Sequence, residues 1–368
     1  MYNIHSHYEN IYHYLKSIIT HPRVLYLHPY GSTQPENIEV IAEDLTKVSV
    51  PCPLFIFYDQ EPLHPIRTQF LLRSFISTFQ KAARPVEYPI TLVTSEKDSE
   101  FVEDLCNTYN LRSAYYFFHG WAALDWYRGY NRTFLIKPVE QRQPTRTFIA
   151  PNRIIAGQRQ HRLEMLYWIF KMGLTDNHIS CPTVCPAENI SIYDAVKTLP
   201  FDDAEQVFRS APLPMQYKNE ADHPMHSCWL SLFDQSADSL LYLVTETVAD
   251  GRRLHLTEKT FKPIALGMPF VLVATAGSLE YLRSYGFKTF GHVWDESYDT
   301  VEDPHKRIQA VAGLLKDLCN LSHADRVALF HAAIPTIEHN YNHFYRGGFE
   351  KILWDELQGM LNSVKSSL

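Results

Sequence analysis

The chain alternates short apolar runs with amphipathic stretches almost from its start. Val24–His28 (VLYLH), Leu54–Tyr58 (LFIFY), Ile90–Thr94 (ITLVT) and Tyr115–Phe118 (YYFF) are brief apolar runs bounded by polar or turn-forming residues. Runs of this length, rich in aromatic and branched side chains, are expected as strands buried on both faces. Between them, Glu36–Val48, Phe70–Ala82 and Ser95–Asn107 space their apolar positions as a helix does. Such alternation predicts a parallel sheet covered by helices, with ligands meeting the carboxyl ends of the strands.

A polar stretch, Lys137–Arg146 (KPVEQRQPTR), interrupts the pattern and is the expected linker. Thr147–Ala150 then opens a second α/β block. It continues with a helix over Arg159–Met172, strands at Leu240–Thr245 and Pro269–Thr275, a helix at Glu258–Leu266 between those strands, and another at Ser278–Tyr285. The C-terminal part reads as three helices, His305–Asn320, Ala324–His339 and Phe349–Val364, with Pro335 expected to kink or end the second. The expectation is an α/β protein of two Rossmann-like domains facing a cleft. Residues 1–140 form the first domain and 147–340 the second, while 341–368 are expected as a terminal helix packing back on the first.

Composition narrows the function classes. Over 368 residues, 45% hydrophobic and 20% charged side chains provide material for two cores, which excludes a mostly disordered chain. A net charge of −7 gives no support to a dedicated nucleic-acid binder, whose affinity comes from neutralising phosphates. The six cysteines are scattered; only Cys181 and Cys185 are close, and no second pair follows, so neither a disulfide scaffold nor a zinc site is expected. His223 and His226, near Cys228, lack a convincing fourth ligand, so no metal is expected. Met1–Thr20 shows no basic region leading into an apolar run, and no apolar stretch reaches the ~18 residues of a membrane span, so the cytoplasm is the expected compartment.

The chemistry concentrates in Leu243–Phe290. A buried strand ends at Thr245-Glu246-Thr247, a polar loop with Asp250, Gly251, Arg252 and Arg253 follows, and Thr257-Glu258-Lys259-Thr260 opens a helix. Thr257 suits an N-cap and Glu258 the first turn. Lys259 breaks the local rule, since a cation in the first turn opposes the helix dipole. It makes sense where an anion docks: amides, dipole and lysine together would cradle a diphosphate, with Glu258 accepting from ribose hydroxyls. A solvated helix start that happens to carry a lysine is the plainer alternative.

The order Glu246, Thr257-Glu258-Lys259, Pro269, Gly277-Ser278, preceded by Pro151-Asn152-Arg153 and Arg162 ahead of an apolar helix, resembles the donor-binding domain of the α1,3-fucosyltransferases and their bacterial and phage relatives. The resemblance covers roughly residues 147–290. It departs at Thr247, where the family carries Asn, and in a longer loop before Thr257. It implies two facing Rossmann-like domains and a nucleotide-sugar donor, GDP-linked and fucose-like. Lys259 and Arg153 would then hold the diphosphate, Glu258 the ribose, and Glu246 would lie near the sugar.

Inverting transfer needs a base for the acceptor hydroxyl and positive charge for the leaving diphosphate. Lys259 and Arg153 supply the second without a metal. Asp202-Asp203 sits in a polar stretch and reads as a helix cap. For the base, Glu61 is the first choice and Asp59 the second, both just beyond the Leu54–Tyr58 strand, where Pro62 fixes a turn. The resembled family has a similar turn in its acceptor domain. His119, Trp121 and Asp125 follow another strand end and are candidates for an acceptor surface, against an aromatic core patch. Two other functions fit the same fold. One is transfer to modified DNA bases along a track of Arg128, Arg132, Arg142, Arg146, Arg153, Arg159 and Arg162. The other is a non-catalytic binder of nucleotide sugars or glycans.

Overall fold

A computed structural model describes residues 24–27, 54–58, 73, 90–130, 137–215 and 230–366. They fall into two compact units. The first takes residues up to Asp125 together with Arg252–His255 and the chain from Glu350 on; the second takes Trp126–Gly251 and Leu256–Phe349. The expected helices at Glu36–Val48 and Phe70–Ala82 lie outside the described residues, Arg73 excepted.

The first unit holds a parallel sheet in the order β1 (Val24–Leu27), β2 (Leu54–Tyr58), β3 (Ile90–Thr94), β4 (Arg112–Tyr115). Helix α1 (Glu100–Tyr109) crosses from β3 to β4. It starts at Ser99, whose hydroxyl accepts from the Val102 amide, carries Glu100 and Glu103 in its first turn, and stops at Asn110 in the left-handed conformation. The expected strand over Tyr115–Phe118 is displaced. Pairing with β3 ends at Tyr115, and Phe118 already opens helix α2 (Phe118–Tyr127), because the Ser95 hydroxyl accepts from the Phe118 amide while donating to the Tyr116 carbonyl.

The second unit holds the other four-stranded sheet, of β5 (Arg146–Ala150), β6 (His178–Ile179), β9 (Ser239–Thr245) and β10 (Phe270–Val273), with a small antiparallel ladder of β7 (Val184–Cys185) and β8 (Ile190–Ser191) beside it. Every residue of β9 and β10 is buried, as a parallel strand covered on both faces requires. The helices after β5 are α3 (Gln160–Lys171), α4 (Ile192–Ala195), α5 (Ala204–Ser210), α6 (Phe233–Ala237), α7 (Glu258–Ala265), α8 (Ser278–Ser284), α9 (Pro304–Cys319), α10 (His323–Tyr345) and α11 (Gly348–Ser366). Helices α3 and α9 pack together, burying Leu163, Leu166 and Ile169 from one and Ile308, Val311 and Leu315 from the other. Each such side chain stabilises the unit by roughly 1.5–3 kcal/mol.

Helix α10 runs through Pro335 to Tyr345 and does not end at the proline. Pro335 and His331, whose carbonyl the missing N–H would have bonded, lie on the exposed face. Ala333, Ile337 and Phe344 hold the other face in the core. The polar stretch 137–146 also differs from a loose linker: it lies inside the second unit and contains a 3-10 turn at Val139–Gln141, and Arg142 is fully buried. Among the described residues no helix is long and apolar enough to cross a membrane.

Candidate functional site

The second sheet has the order β10-β9-β5-β6, all parallel. From β5 the chain steps to one side for β6 and to the other for β9 and β10. The strand order therefore reverses between β5 and β9, and the loops leaving their carboxyl ends part to form a crevice, the position ligands take in open α/β sheets. Pro151-Asn152-Arg153 leaves β5 there and Glu246-Thr247 leaves β9. The Thr245 hydroxyl donates to Asn152 Oδ1 at 2.9 Å and ties the two strand ends together.

Glu246 is completely buried and organises the crevice from below. Its Oε1 accepts from the Thr257 amide (3.0 Å), the Thr260 amide (3.2 Å) and the Thr260 hydroxyl (2.6 Å). Its Oε2 accepts from the Thr257 hydroxyl (2.6 Å) and the Thr247 amide (3.1 Å). The carboxylate thus sits on the N-terminus of α7, where the sequence pattern places a ligand phosphate. That expectation of a cradle of free amides is corrected: the amides of Thr257 and Thr260 are taken by Glu246, and the Lys259 amide is capped by the Thr257 hydroxyl. Lys259, 29% exposed, donates from Nζ to Glu258 Oε1 at 2.8 Å and to the Thr257 hydroxyl at 3.2 Å.

Helix α8 is treated alike. Asp299, buried, accepts from the Leu279 amide at its N-terminus. Burial pushes the Asp299 carboxyl up to about 6 despite that bond. Helix α3, which follows β5 into the crevice, has no acidic residue in its first turn and no side-chain cap. Two cations stand at its start: Arg159, half-buried, and Arg162, buried with its guanidinium donating to the Glu246 carbonyl (3.0 and 3.3 Å) and the Ile154 carbonyl (3.0 Å); Arg153, exposed, leaves β5 seven residues before the helix.

The His161 Nε2 donates to the same Glu246 carbonyl at 2.8 Å, which fixes the tautomer with the proton on Nε2. Desolvation, and after it the Arg162 guanidinium, hold this imidazole down at about 3, although the residue as a whole is only partly covered. A folded pKa below the unfolded one means the unfolded chain binds the extra proton, so this contribution to stability is full above about pH 6.5 and declines as pH falls toward 3. The expected result is a His161 ring that stays neutral from pH 8 to pH 5 in an NMR titration; a midpoint near 6.5 would contradict the described environment.

A second buried guanidinium ties together the loops beyond β9 and β10. Arg307, in the first turn of α9, donates to the carbonyls of Ala274 (2.8 Å), Ala249 (2.5 Å), Glu302 (3.1 Å) and Val301. Arg307 carries the same sequence signal that marks Lys259, a cation in a first helical turn, against the dipole, and was not among the sequence-predicted residues.

The remaining candidates lie elsewhere. Asp59 and Glu61 are outside the described residues, as are His223, His226 and Cys228. His119, Trp121 and Asp125 are all buried in the first unit. Trp121 packs edge-on against Trp354 at 4.5 Å and His119 against His255 at 5.0 Å, so they form a core patch and not an open surface. Asp203 stands at the start of α5 without capping it; its carboxylate accepts from the Tyr167 hydroxyl and pairs with Lys171. The arginine track is broken as well, because Arg142 and Arg162 point inward onto carbonyls and Arg146 pairs with Asp176. Among the described residues no group of three or more His, Cys, Asp or Glu side chains is arranged to hold a metal.

No protein-family model and no curated protein matches the chain. Three solved structures are similar to it. T4 phage BGT in complex with its substrate UDP-glucose shares 12% identity over 87% of this chain and 83% of its own, with a TM-score of 0.38. Trehalose-6-phosphate synthase shares 14% over 88% and 70%, with a TM-score of 0.41. The DNA-modifying enzyme β-glucosyltransferase, studied with and without uridine diphosphoglucose, shares 10% over 87% and 82%, with a TM-score of 0.36. None of these three is a fucosyltransferase.

Proposed function

We propose that this protein is a glycosyltransferase whose nucleoside-diphosphate sugar binds in the crevice at the carboxyl ends of β5 and β9. The observation that carries the donor site is the coincidence of that strand-order reversal with the residues singled out in the sequence. Arg153 leaves β5, and Glu246 leaves β9 to anchor the helix bearing Glu258 and Lys259. The diphosphate pairs with Lys259 and Arg153 beside the acid-free start of α3. Glu258, which accepts from Lys259, is the ribose-binding candidate that the sequence resemblance implies. Glu246, saturated by its own helix, holds these groups in place and does not contact the sugar. The step from donor binding to transfer, and the preference for a GDP-linked, fucose-like sugar and a glycan hydroxyl, rest on the sequence resemblance. Inverting, metal-free transfer would take Glu61, or Asp59, as its base.

The test is calorimetric titration with GDP, UDP, CMP and dTDP and their sugar conjugates, followed by release of nucleotide from the bound conjugate. One nucleotide class is expected to bind, and Lys259→Ala is expected to weaken it about 10- to 100-fold, the worth of one or two charge-assisted bonds. Binding that ignores Lys259→Ala would remove the assigned site. Binding with no turnover on any acceptor would leave a nucleotide-sugar binder in place of an enzyme.

A further inference from the structure

Helix α7 is too weak to hold its own first turn. It has eight residues, about 12 Å of helix, and Pro263 inside it removes one of its few backbone bonds, leaving the Lys259 carbonyl without its usual partner. A proline in a helix interior costs about 3 kcal/mol, and a helix this short is marginal by itself in water. Its geometry is therefore set from outside. At the N-terminus the anchor is Glu246. At the C-terminus a Schellman turn closes through Gly267, at φ +61°, with the Gly267 amide donating to the Ile264 carbonyl and the Met268 amide to Pro263. Arg142 is seated on that turn. Its Nη1 donates to the Gly267 carbonyl at 2.9 Å, its Nη2 to Leu266 at 3.1 Å, and its Nε back to Lys137 at 2.8 Å. The guanidinium is 0% exposed. A buried anion thus sits on the positive end of α7 and a buried cation on its negative end, both in the sense the helix dipole favours. Between them Phe261 stacks on Phe344 and Phe349.

We propose that Arg142 is a positioning residue of the donor site: by fixing the far end of α7 it fixes where Lys259 and Glu258 stand. The role of those two residues rests on the function proposed above; the anchoring of α7 does not. Arg142 lies over a hundred residues before the helix it holds, in the stretch expected as a linker, and nothing in the local sequence marks it.

Two measurements on the full chain decide the matter. In Arg142→Met, hydrogen exchange across residues 258–266 is expected to quicken about tenfold or more while residues 160–171 keep their protection; Arg142→Lys, which retains the charge but not the fork, falls between. Unchanged exchange at 258–266 in Arg142→Met, or in Arg142→Lys if the methionine variant does not fold, overturns the proposal. So does quickening to the same degree everywhere. The second measurement is a double-mutant cycle on nucleotide affinity. If Arg142 positions Lys259, Lys259→Ala costs about 30-fold in the wild-type background and only about threefold in Arg142→Met, because the lysine has already lost its place. Equal factors in both backgrounds show a merely structural arginine and overturn the positioning role. If the wild-type protein binds no nucleotide, the donor reading fails, while the exchange result still decides whether Arg142 anchors α7.

Discussion

Replacing Glu246 by Gln is expected to lower stability by about 3–5 kcal/mol and to abolish nucleotide binding, although the change is one atom. The carboxylate accepts five hydrogen bonds. Threonine hydroxyls can turn to suit an amide, but backbone N–H groups cannot. The Thr257 and Thr260 amides face one oxygen and the Thr247 amide faces the other, so a glutamine in either orientation sets its NH2 group against a backbone donor. Removing one side of a buried charged network costs several kcal/mol because the groups left behind are unsatisfied. In a unit of this size that lowers Tm by about 10 °C. Glu246→Asp keeps the charge but shortens the reach, and is expected to lose less. A Gln variant with unchanged Tm and nucleotide affinity would show that the α7 N-terminus does not depend on this carboxylate.

The other large effect is expected at Arg307. Its guanidinium joins the loop after β9 at Ala249, the end of β10 at Ala274, and the approach to α9 at Val301 and Glu302. Arg307→Leu leaves these carbonyls facing an apolar side chain. Each unsatisfied buried acceptor costs roughly 1–3 kcal/mol, partly relieved by water and relaxation, so a total near 4 kcal/mol is expected, read as a Tm drop of about 10 °C. The change differs in kind from Glu246→Gln. The hydrogen bonds of Arg307 go to the loops after β9 and β10 and before α9, not to α7, so the residual folded protein should keep measurable nucleotide affinity at low temperature. Full loss of binding in a folded Arg307→Leu protein would mean the loop at Ala249 contributes to the ligand contact directly.

Strands β5, β9 and β10, helices α3, α7 and α9, and the Thr257 cap were legible from local pattern, while β6, β7 and β8, two residues each, are too short to show one. Buried parallel strands must be apolar throughout, and a helix between covered faces must repeat its apolar positions near every 3.6 residues. Local rules failed where a distant partner changed the outcome. Phe118 enters a helix because Ser95 caps it, and Pro335 stays within one because it and His331 lie on the exposed face. Trp121 and His119 look like a sugar platform until the rings of Trp354 and His255 are found against them.

The site divides along the same line. The sequence alone determined that Lys259 stands in a first helical turn against the dipole, that Glu258 accompanies it, and that Arg153 follows a strand end, because these are matters of spacing within a few residues. Only the tertiary structure decided that the anion on that helix is Glu246, eleven residues before Thr257, that Arg162 and Arg142 face inward, and that Arg307 ties together the loops beyond β9 and β10. A charged side chain's role is set by which unsatisfied backbone groups lie within about 3 Å of it, and those groups are gathered by the packing of β5, β9 and α7, which no local pattern contains.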